Sequence, residues 1–406
     1  MGDPQTGREK IDWASAHTPL LNHIRSQFLD ERPFAGHRIA MSIHLEAKTA
    51  CLAILLRDGG AEVWVTGSNP LSTQDDVASA LAEQENVSVH ARHGVSAEQY
   101  TNHLREVLEP KPDLILDDGG DLVHLLHTEF TYDLLGGCEE TTTGVARLRT
   151  RAARGELHFP MFAVNDAKLK SLFDNRYGTG QSTWDGILRS TNVLAAGKDV
   201  LVAGYGWCGR GIARRAQGLG ARVTVAEVDP VRALEAWMDG FAVAPIAEAI
   251  GSADILVTAT GCEDVVTEEV LRRAKDGCIL ANAGHFNVEI SLPALVRMAE
   301  AQRQVRHGVV EYRFADGRRV YLLGEGRLVN LALGDGHPIE IMDMSFAVQA
   351  LTLQHLIDAG PFEAGVHSVP DAIDRRIARL KLESLGVTID TLSSHQRAYL
   401  GVSGDS

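Results

Sequence analysis

The sequence predicts an α/β protein with two parallel sheets, in which one domain is inserted into the chain of the other. Three observations support this prediction: strand-like and helix-like segments alternate over the first third, a second such unit opens at Asp199, and the pattern becomes helical from Pro338 onward. The 406 residues also allow more than one sizeable core at roughly 150 residues per domain. A chain that crosses twice between domains suits a hinged pair that closes on a ligand.

In the N-terminal third, hydrophobic spacing predicts the individual elements. We expect helices over 13–29, 45–56, 73–84 (with Thr73 as the cap) and 97–108, and strands over 38–43, 62–66, 87–91 and 114–116. Ligands of such sheets bind at the carboxyl ends of the strands. Polar residues just after strands, including His44, Asp118 and Asn165, are therefore candidate site residues.

The second unit carries a dinucleotide-binding pattern. A strand at 199–203 leads into Gly204-x-Gly206-x-x-Gly209, a helix follows, and a second strand ends at Glu227. Glycines let backbone amides and a helix N-terminus approach a pyrophosphate, and Glu227 can accept both hydroxyls of an adenosine ribose. A carboxylate there repels a 2′-phosphate and favours NAD, although Arg232 leaves NADP open. A glycine-rich turn without a ligand is the alternative.

The remaining segments complete the two units. We predict strands at 253–258 and 278–282, a helix from 338, and one or two closing helices over 370–392. Hinges are expected near 179–186 and 334–338.

Composition excludes several classes of protein. The formal charge is −15, with 45% hydrophobic and 23% charged residues, which is a globular balance that argues against general nucleic-acid binding. The five cysteines are scattered without a CxxC pair, so we predict neither a disulfide framework nor a zinc cluster. No signal peptide and no segment near ~18 apolar residues is visible, so we expect a cytoplasmic protein without membrane contact.

Several long polar motifs together resemble one family. They are SIHLEAKTA (42–50), LSTQDD (71–76), LDDGGDL (116–122), EETTTGV (139–145), VNDAKLKSLFDNRYGTGQS (164–182), NAGHFNVEI (282–290) and EGRLVNLALGDGHPIEIM (325–342). The chain resembles S-adenosyl-L-homocysteine hydrolases of the short archaeal and thermophilic branch, from about residue 39 to the final helices. The resemblance implies a split substrate domain (1–180 and 336–385), a Rossmann NAD-binding domain (181–335), a short C-terminal segment (386–406) and a homotetramer.

The resemblance also implies a reaction. The family hydrolyses S-adenosyl-L-homocysteine reversibly to adenosine and L-homocysteine, in the S-adenosylmethionine cycle of one-carbon metabolism, by 3′-oxidation, elimination, water addition and re-reduction with a bound NAD. It implies catalytic roles for His44, Asp118, Lys170, Asp174 and His285, and substrate binding by Glu46, Lys48, Glu140 and His337. The implied cofactor contacts are Thr141, Thr142, Thr143, Asn175, Gly204, Gly206, Trp207, Cys208, Gly209, Arg210, Gly211, Glu227, Arg232, Ala283, Gly284 and Asn330.

Plainer alternatives exist for these residues when each is taken alone. Lys170 and Asp174, four apart, would form an ordinary surface ion pair on a helix. His44 would be a structural histidine after a buried strand, and His337 a helix-cap histidine. The surrounding motifs favour the functional interpretation.

The chain departs from better-known members at several positions. Thr179 stands where they carry a cysteine, so we expect no thiol near the nicotinamide, and Arg232 stands where they carry an asparagine near the cofactor ribose. The C-terminal Lys and Tyr that reach a neighbouring subunit's NAD have no counterpart in GVSGDS.

At the purine, Glu46 and Lys48 replace a Thr and a Glu or Gln. An ammonium suits the O6 of hypoxanthine and mismatches the adenine amino group, so an S-inosyl-L-homocysteine hydrolase is the alternative. Lys48 could instead point away from the purine.

Two further functions compete with these. One is a non-catalytic NAD-binding sensor, and the other is a simple dehydrogenase that releases NADH. No metal-binding motif is present, so we predict no metal, although a monovalent cation at the hinge is invisible in a sequence.

Overall fold

The structure is a computed structural model that describes residues 2–401. Its first part contains helices and strands in strict alternation after an N-terminal helical pair. In chain order they are α1 Pro4–Ala16, α2 Pro19–Glu31, β1 Arg38–Ser42, α3 Ala47–Asp58, β2 Glu62–Thr66, α4 Asp75–Leu81, β3 Val87–Val89, α5 Ala97–Leu108, β4 Leu114–Asp117, α6 Asp121–Thr128, β5 Gly136–Glu139, α7 Thr142–Ala153 and β6 Pro160–Ala163.

A short 3₁₀ turn, Val164–Asp166, and a π-helix, Lys170–Gly178, lead to α8 Thr179–Thr191, which connects the first part to a second sheet. The second part contains β7 Asp199–Ala203, α9 Trp207–Gly218, β8 Arg222–Ala226, α10 Pro230–Met238, β9 Ala242–Val243, α11 Ile246–Ala249, β10 Ile255–Thr258, α12 Glu268–Arg273, β11 Cys278–Asn282, α13 Leu292–Met298, β12 Ala299–Arg306, β13 Val309–Phe314, β14 Arg319–Leu323 and, after the 3₁₀ turn Gly324–Gly326, α14 Val329–Ala332. The chain then returns through α15 Ile339–Ala359, β15 Gly365–His367, α16 Asp371–Ser384 and α17 Ser394–Leu400.

Two sheets organise the molecule. The first has the strand order β15-β6-β5-β4-β1-β2-β3 and is parallel throughout. The second has the order β12-β13-β14-β11-β10-β7-β8-β9, and it is parallel except at the β12–β13 and β13–β14 pairs. After the second sheet is complete, the chain returns to the first part, where α15 packs on the first sheet and β15 pairs with β6. The second domain is therefore inserted into the first, which confirms the predicted fold class.

Some predicted elements were wrong in extent. The helix expected over 13–29 is two helices, because Pro19 has no N–H and disfavours helical backbone at Thr18. Helix α4 begins at Asp75 after Gln74, so Thr73 is not its cap. The closing region forms α16 and α17 with irregular chain between them. The antiparallel β12–β13 hairpin was not predicted.

Both sheets have buried apolar cores on their two faces. In the described part of the chain, no helix combines the length and apolarity needed to cross a bilayer. Polar side chains follow the carboxyl ends of the parallel strands in both sheets. The carboxyl ends of the two sheets face one cavity.

Candidate active site

One cavity of about 1220 Å³ lies between the carboxyl ends of the two sheets. Most of the residues predicted from the sequence line it: His44, Glu46, Lys48, Asp118, Glu140, Thr141, Thr142, Thr143, Lys170, Asp174, Asn175, Gly204, Gly206, Trp207, Cys208, Arg210, Glu227, Arg232, Ala283, Gly284, His285, Asn330 and His337. Gly209 and Gly211 do not line it. They allow close packing instead, because a side chain at Gly209 would collide with the carbonyl of Gly204, and one at Gly211 with the carbonyl of Arg176.

The glycine-rich turn between β7 and α9 has the backbone that dinucleotide binding requires. Gly204 has a φ of +96°, a left-handed conformation that favours glycine, and a Cβ there would lie 2.7 Å from the carbonyl oxygen of Ala259. Gly206 caps α9, so the free amides of the first helical turn face the cavity. These features fit a bound pyrophosphate.

Glu227 is fixed at the end of β8 by backbone amides. Its Oε2 accepts from the amide of Tyr205 at 2.7 Å, and its Oε1 accepts from those of Val228 at 2.7 Å and Asp229 at 3.0 Å. The carboxylate is therefore oriented at the cavity wall, as a ribose-binding acid must be. Arg232 lies beside it and is half exposed, with its Nε 3.9 Å from Asp229.

Asn330 supplies a second indication of a bound nucleotide. It is 2% exposed, its Nδ2 donates to Ser182 Oγ at 3.1 Å, and its Oδ1 has no hydrogen-bond partner among the described residues. A buried acceptor without a partner is costly unless a ligand satisfies it. The residues around the cavity thus fit NAD, whose nicotinamide amide is a suitable donor.

The π-helix concentrates polar groups around Lys170. Its Nζ lies 3.1 Å from Asp174 Oδ1, 2.9 Å from Asn175 Oδ1 and 3.4 Å from Glu140 Oε1. The wider π-turn brings both the fourth and the fifth following residues onto this lysine, and π-helical turns are frequent at functional sites. The ion pair is buried, with Lys170 4% and Asp174 0% exposed, so it is not a solvated surface pair.

The charge states in this cluster are set by burial and by mutual attraction. Burial disfavours the charged form of Lys170, but Asp174 and Glu140 outweigh it and raise the lysine pKa. Burial likewise opposes ionisation of Asp174, but Lys170 and His337 outweigh it and lower the pKa of that carboxyl. Burial raises the pKa of Glu140 to about 7. Of these three groups, Glu140 therefore has the pKa nearest to neutral pH.

A second cluster surrounds Asp118, just after β4. Its Oδ2 lies 3.3 Å from His44 Nε2 and accepts from Ser68 Oγ at 2.8 Å, while its Oδ1 lies 3.7 Å from His285 Nδ1. His44 Nδ1 lies 2.7 Å from Ser72 Oγ. Burial lowers the pKa of His44 to about 4, so the imidazole is neutral at pH 7. This cluster can accept and return protons beside the first.

The same three side chains bear on the question of a metal. Within residues 2–401, His44, Asp118 and His285 have ligand atoms that all lie within 4.8 Å of one another, close enough for one ion. A carboxylate with two imidazoles is a donor set that Zn²⁺ accepts. The prediction of no metal therefore stays a prediction.

The hinge side chain His337 links the clusters to the second domain. Its Nδ1 lies 2.9 Å from Asp174 Oδ1, and its Nε2 lies 3.2 Å from Thr179 Oγ1. Thr179 Oγ1 is also 3.5 Å from the sulfur of Cys208. The expectation that no thiol lies near the nicotinamide stays a prediction, and Cys208, at the start of α9, brings a thiol to Thr179 from another part of the sequence.

Lys48 and Glu46 line the end of the cavity next to Asp335 and Gly336. Lys48 Nζ is 2.8 Å from Glu46 Oε2 and donates to the carbonyl oxygen of Asp335 at 2.8 Å, so it does not point away into solvent. Both residues are 5% exposed. The cavity therefore offers both a carboxylate and an ammonium at this end.

Sequence reasoning did not identify four polar residues that orient these groups. Ser68 and Ser72 follow β2. Their position just after a predicted strand could have identified them from the sequence. Ser345 donates to Asp174 Oδ2 at 2.7 Å and Gln349 donates to Glu140 Oε2. These two residues are four positions apart in the apolar helix α15. Two polar residues at helical spacing within an otherwise apolar helix could have identified them from the sequence.

Comparisons with known proteins agree with this geometry. Residues 1–134 match the family model described as S-adenosyl-L-homocysteine hydrolase, and residues 175–336 match that of the S-adenosyl-L-homocysteine hydrolase NAD-binding domain. The adenosylhomocysteinase of Thermotoga maritima is 55% identical over 97% of this chain and 98% of its own. The S-inosyl-L-homocysteine hydrolase of Methanocaldococcus jannaschii is 53% identical over 97% of this chain and 95% of its own.

Among solved structures, a dipicolinate synthase chain from Bacillus halodurans has a similar fold, with a TM-score of 0.50 and 12% identity, over 80% of this chain and all of the other. That likeness concerns the fold alone. The family matches and the identity over nearly the full length establish that the chain belongs to the S-adenosyl-L-homocysteine hydrolase family and contains its NAD-binding domain.

Proposed function

We propose that this protein hydrolyses S-adenosyl-L-homocysteine reversibly to adenosine and L-homocysteine with a bound NAD. The observation that carries the proposal is one cavity in which a dinucleotide-binding turn meets two buried clusters of titratable groups. A thioether at C5′ of a nucleoside is a poor target for direct hydrolysis. A ketone at C3′ acidifies the C4′ proton and allows the thiolate to leave by elimination.

Each step needs a group that holds or moves a proton. NAD supplies the acceptor for the 3′ hydride and its return. We assign the exchange of the 3′-hydroxyl proton to Lys170 and Asp174, with Glu140 binding the ribose hydroxyls. We assign removal and return of the C4′ proton to Asp118. We assign protonation of the leaving sulfur and deprotonation of the added water to His44.

The remaining predicted residues orient substrate and cofactor. His285, whose ring centroid lies 5.7 Å from that of His44, belongs to the ribose and nicotinamide edge. His337 belongs to the purine end and to domain closure, since it joins the hinge to Asp174. Asn175 and the threonines 141–143 are assigned to the nicotinamide side of the cofactor.

The experiment is thiol release by the purified protein with NAD, with S-adenosyl- and S-inosyl-L-homocysteine offered in parallel. Release of homocysteine from the adenosyl substrate, abolished in Lys170→Met and retained in Lys168→Met, supports the proposal. Release from neither substrate by protein that has bound NAD overturns it. Lys168 is a suitable control because it pairs with Asp371 on the surface.

A second candidate is S-inosyl-L-homocysteine as the substrate. The observation that favours it is the buried ammonium of Lys48 in the cavity, which pairs with the Glu46 carboxylate, donates to the carbonyl oxygen of Asp335 and keeps further N–H groups. One of these N–H groups fits O6 of hypoxanthine. The carboxylate of Glu46 at the same end would instead suit the amino group of adenine. The relative activities on S-adenosyl- and S-inosyl-L-homocysteine therefore decide which of the two is the substrate.

The non-catalytic sensor gains no support. Lys170, Asp174, Asp118 and His44 are all present in the cavity, and the relatives named above carry the names of hydrolases. A dehydrogenase that releases NADH would consume NAD in proportion to product, whereas the proposed cycle does not.

We also propose a cytoplasmic homotetramer. Helix α10 exposes an apolar face, with Val231 72%, Trp237 66% and Met238 72% exposed, and the α17 residues Tyr399 and Leu400 are exposed as well. Such faces suit contacts between copies of the chain. Light scattering coupled to gel filtration tests this, and a monomeric mass would contradict it. The sequence-based prediction that the C-terminal Lys and Tyr are missing concerns residues 402–406, which lie outside the described residues.

A further inference from the structure

Two carboxyl groups lie directly beneath the loop that carries Asp118. Asp117 is the last residue of β4 and Glu139 the last residue of β5, and the two are register partners in the parallel sheet. Both are 0% exposed. The proposed reaction assigns no role to either.

The two carboxyl groups are hydrogen-bonded differently. Asp117 accepts with both oxygens, Oδ1 from the amide of Asp118 at 3.0 Å and Oδ2 from that of Val123 at 2.9 Å. Glu139 Oε1 accepts from the amide of Gly119 at 2.9 Å and from the amide and hydroxyl of Thr141 at 3.0 Å each. Glu139 Oε2 is buried and has no partner among the described residues.

These bonds hold the backbone on both sides of the catalytic carboxylate. The amide of Asp118 is bound to one carboxyl group and the next amide, of Gly119, to the other. Glu139 also anchors Thr141, which caps α7 and follows Glu140. One pair of side chains therefore fixes the two loops that present Asp118 and Glu140 to the cavity.

We propose that Asp117 and Glu139 form a positioning dyad, in which Glu139 is protonated on Oε2, Asp117 is ionised, and together they fix Asp118 for catalysis. The assignment of the proton follows from the geometry. Asp117 uses both oxygens as acceptors, as an ionised carboxylate does, whereas Glu139 has one oxygen that no donor reaches. The inference rests on the proposed function, because it explains how that reaction's Asp118 is held.

Electrostatics supports one proton on the pair. Two buried carboxylates on adjacent strands do not both ionise readily. Burial raises the pKa of Asp117 to about 7 and that of Glu139 well above its ordinary value. The charged groups nearby are Asp118 and Asp121, which disfavour a second negative charge, and Arg147, which binds Asp121 and the carbonyl of Gly119 instead of the dyad.

The space around Glu139 is specific to this side chain. A Cβ at Gly144, in the first turn of α7, would collide with the Glu139 carboxyl group. The glycine of the EETTTGV motif therefore leaves room for the Glu139 carboxyl group. A turn between a strand and a helix does not by itself require a glycine at this position.

The test compares three variants in the NAD-loaded full chain. Glu139→Gln keeps an acceptor at Oε1 and a neutral donor at Oε2, so it imitates the protonated acid. Asp117→Asn replaces one of two required acceptors with an amide donor. Asp113→Asn is the matched control, because Asp113 precedes the same strand and accepts from the amide of Arg38 at 2.8 Å, away from the catalytic loop.

The readouts are kcat and KM for thiol release, thermal stability, and the infrared carbonyl band of a protonated carboxylic acid. We expect such a band in the wild type at pH 7, where Glu140 also contributes to it, and the loss of one carboxyl's share of the band in the difference spectrum between wild type and Glu139→Gln. We expect Glu139→Gln to keep kcat within about threefold, because its amide nitrogen takes the position of an oxygen that no backbone N–H approaches. Asp117→Asn should lose about tenfold or more in kcat with KM little changed, because its amide donor would face a backbone N–H that is then left without an acceptor, at a cost of that order. Asp113→Asn should retain both kcat and the infrared band.

Two results would overturn the dyad: no loss of the band in that difference spectrum at pH 7, or Glu139→Gln as impaired as Asp117→Asn. If Asp117→Asn does not fold, the infrared comparison of wild type with Glu139→Gln still decides the protonation. If the wild type releases no homocysteine, the proposed function fails, and the same spectra still report on the dyad.

Discussion

Lys48 Nζ donates to the carbonyl oxygen of Asp335 across 2.8 Å, which joins the first turn of α3 to the segment that leaves the inserted domain. The same ammonium is paired with Glu46 at 2.8 Å. One of its three N–H groups is therefore bound to a backbone carbonyl, and the ion pair with Glu46 holds the ammonium beside it. Any purine acceptor that takes a further N–H would also stabilise the contact between the domains.

Lys48→Gln tests the purine preference. If Lys48 faces the purine, loss of the ammonium should lower the ratio of kcat/KM for the inosyl substrate to that for the adenosyl substrate by about tenfold, since one buried hydrogen bond is worth on the order of 1–3 kcal/mol. Parallel assays of both substrates measure it, with Lys168→Gln as the surface control. An unchanged ratio would show that Lys48 does not select the purine.

Cys208 should react slowly with alkylating reagents. Burial raises the pKa of this thiol, and only the thiolate is nucleophilic, whereas Cys262 is exposed at the cavity rim. Peptide mass spectrometry after timed treatment with iodoacetamide should find Cys262 modified first at pH 7, and Cys208 modified faster as the pH rises. Equal early modification of both cysteines would contradict the raised pKa of Cys208.

Asp343→Asn should destabilise the protein strongly. This fully buried carboxylate accepts from the amides of Leu20 and Leu21 at 3.2 and 2.9 Å and lies 3.2 Å from Lys381 Nζ. Leaving one partner of a buried ion pair alone costs about 3–5 kcal/mol. Denaturant unfolding should show a loss of that order, against about 0–1 kcal/mol for Asp371→Asn in the exposed pair with Lys168. Similar losses for both variants would refute this role of Asp343.

His44 should make the stability depend on pH. Burial lowers its pKa from 6.5 to about 4, so between these values the unfolded chain binds a proton that the folded chain does not. This imidazole therefore penalises folding progressively as the pH falls from about 6.5 to about 4, by up to about 3 kcal/mol, and imposes no such penalty above that window.

His44→Asn removes this linkage. Its stability relative to the wild type should therefore improve between pH 7.5 and pH 4.5, which unfolding curves at the two values measure. His307→Asn, at the exposed end of the β12–β13 hairpin, controls for the loss of a histidine. A stability difference between His44→Asn and wild type that does not change with pH would contradict a buried neutral His44.

Much of the fold was accessible from the sequence because periodicity and glycine placement are local. The strands at 62–66 and 278–282 and the helix over 97–108 have the predicted bounds. The split of helix 13–29 at Pro19 was readable in principle, since proline restricts the residue before it.

Contacts between distant segments were not accessible in this way. The π-helix at Lys170 and the approach of Cys208 to Thr179 depend on how α9 packs against the segment before α8. The residues of the site were identified through long motifs. Their mutual distances, and the partners Ser345 and Gln349 from α15, required the three-dimensional structure.

The stoichiometry of NAD is the most direct test of the proposed cycle. Protein loaded with one NAD per protomer, and freed of excess cofactor, is given S-adenosyl-L-homocysteine while released thiol and bound nucleotide are both measured. We expect many thiols to be released per protomer and the NAD content to be unchanged at the end, because each turnover returns the hydride. Release that stops at one equivalent, with NADH left behind, would contradict the cycle.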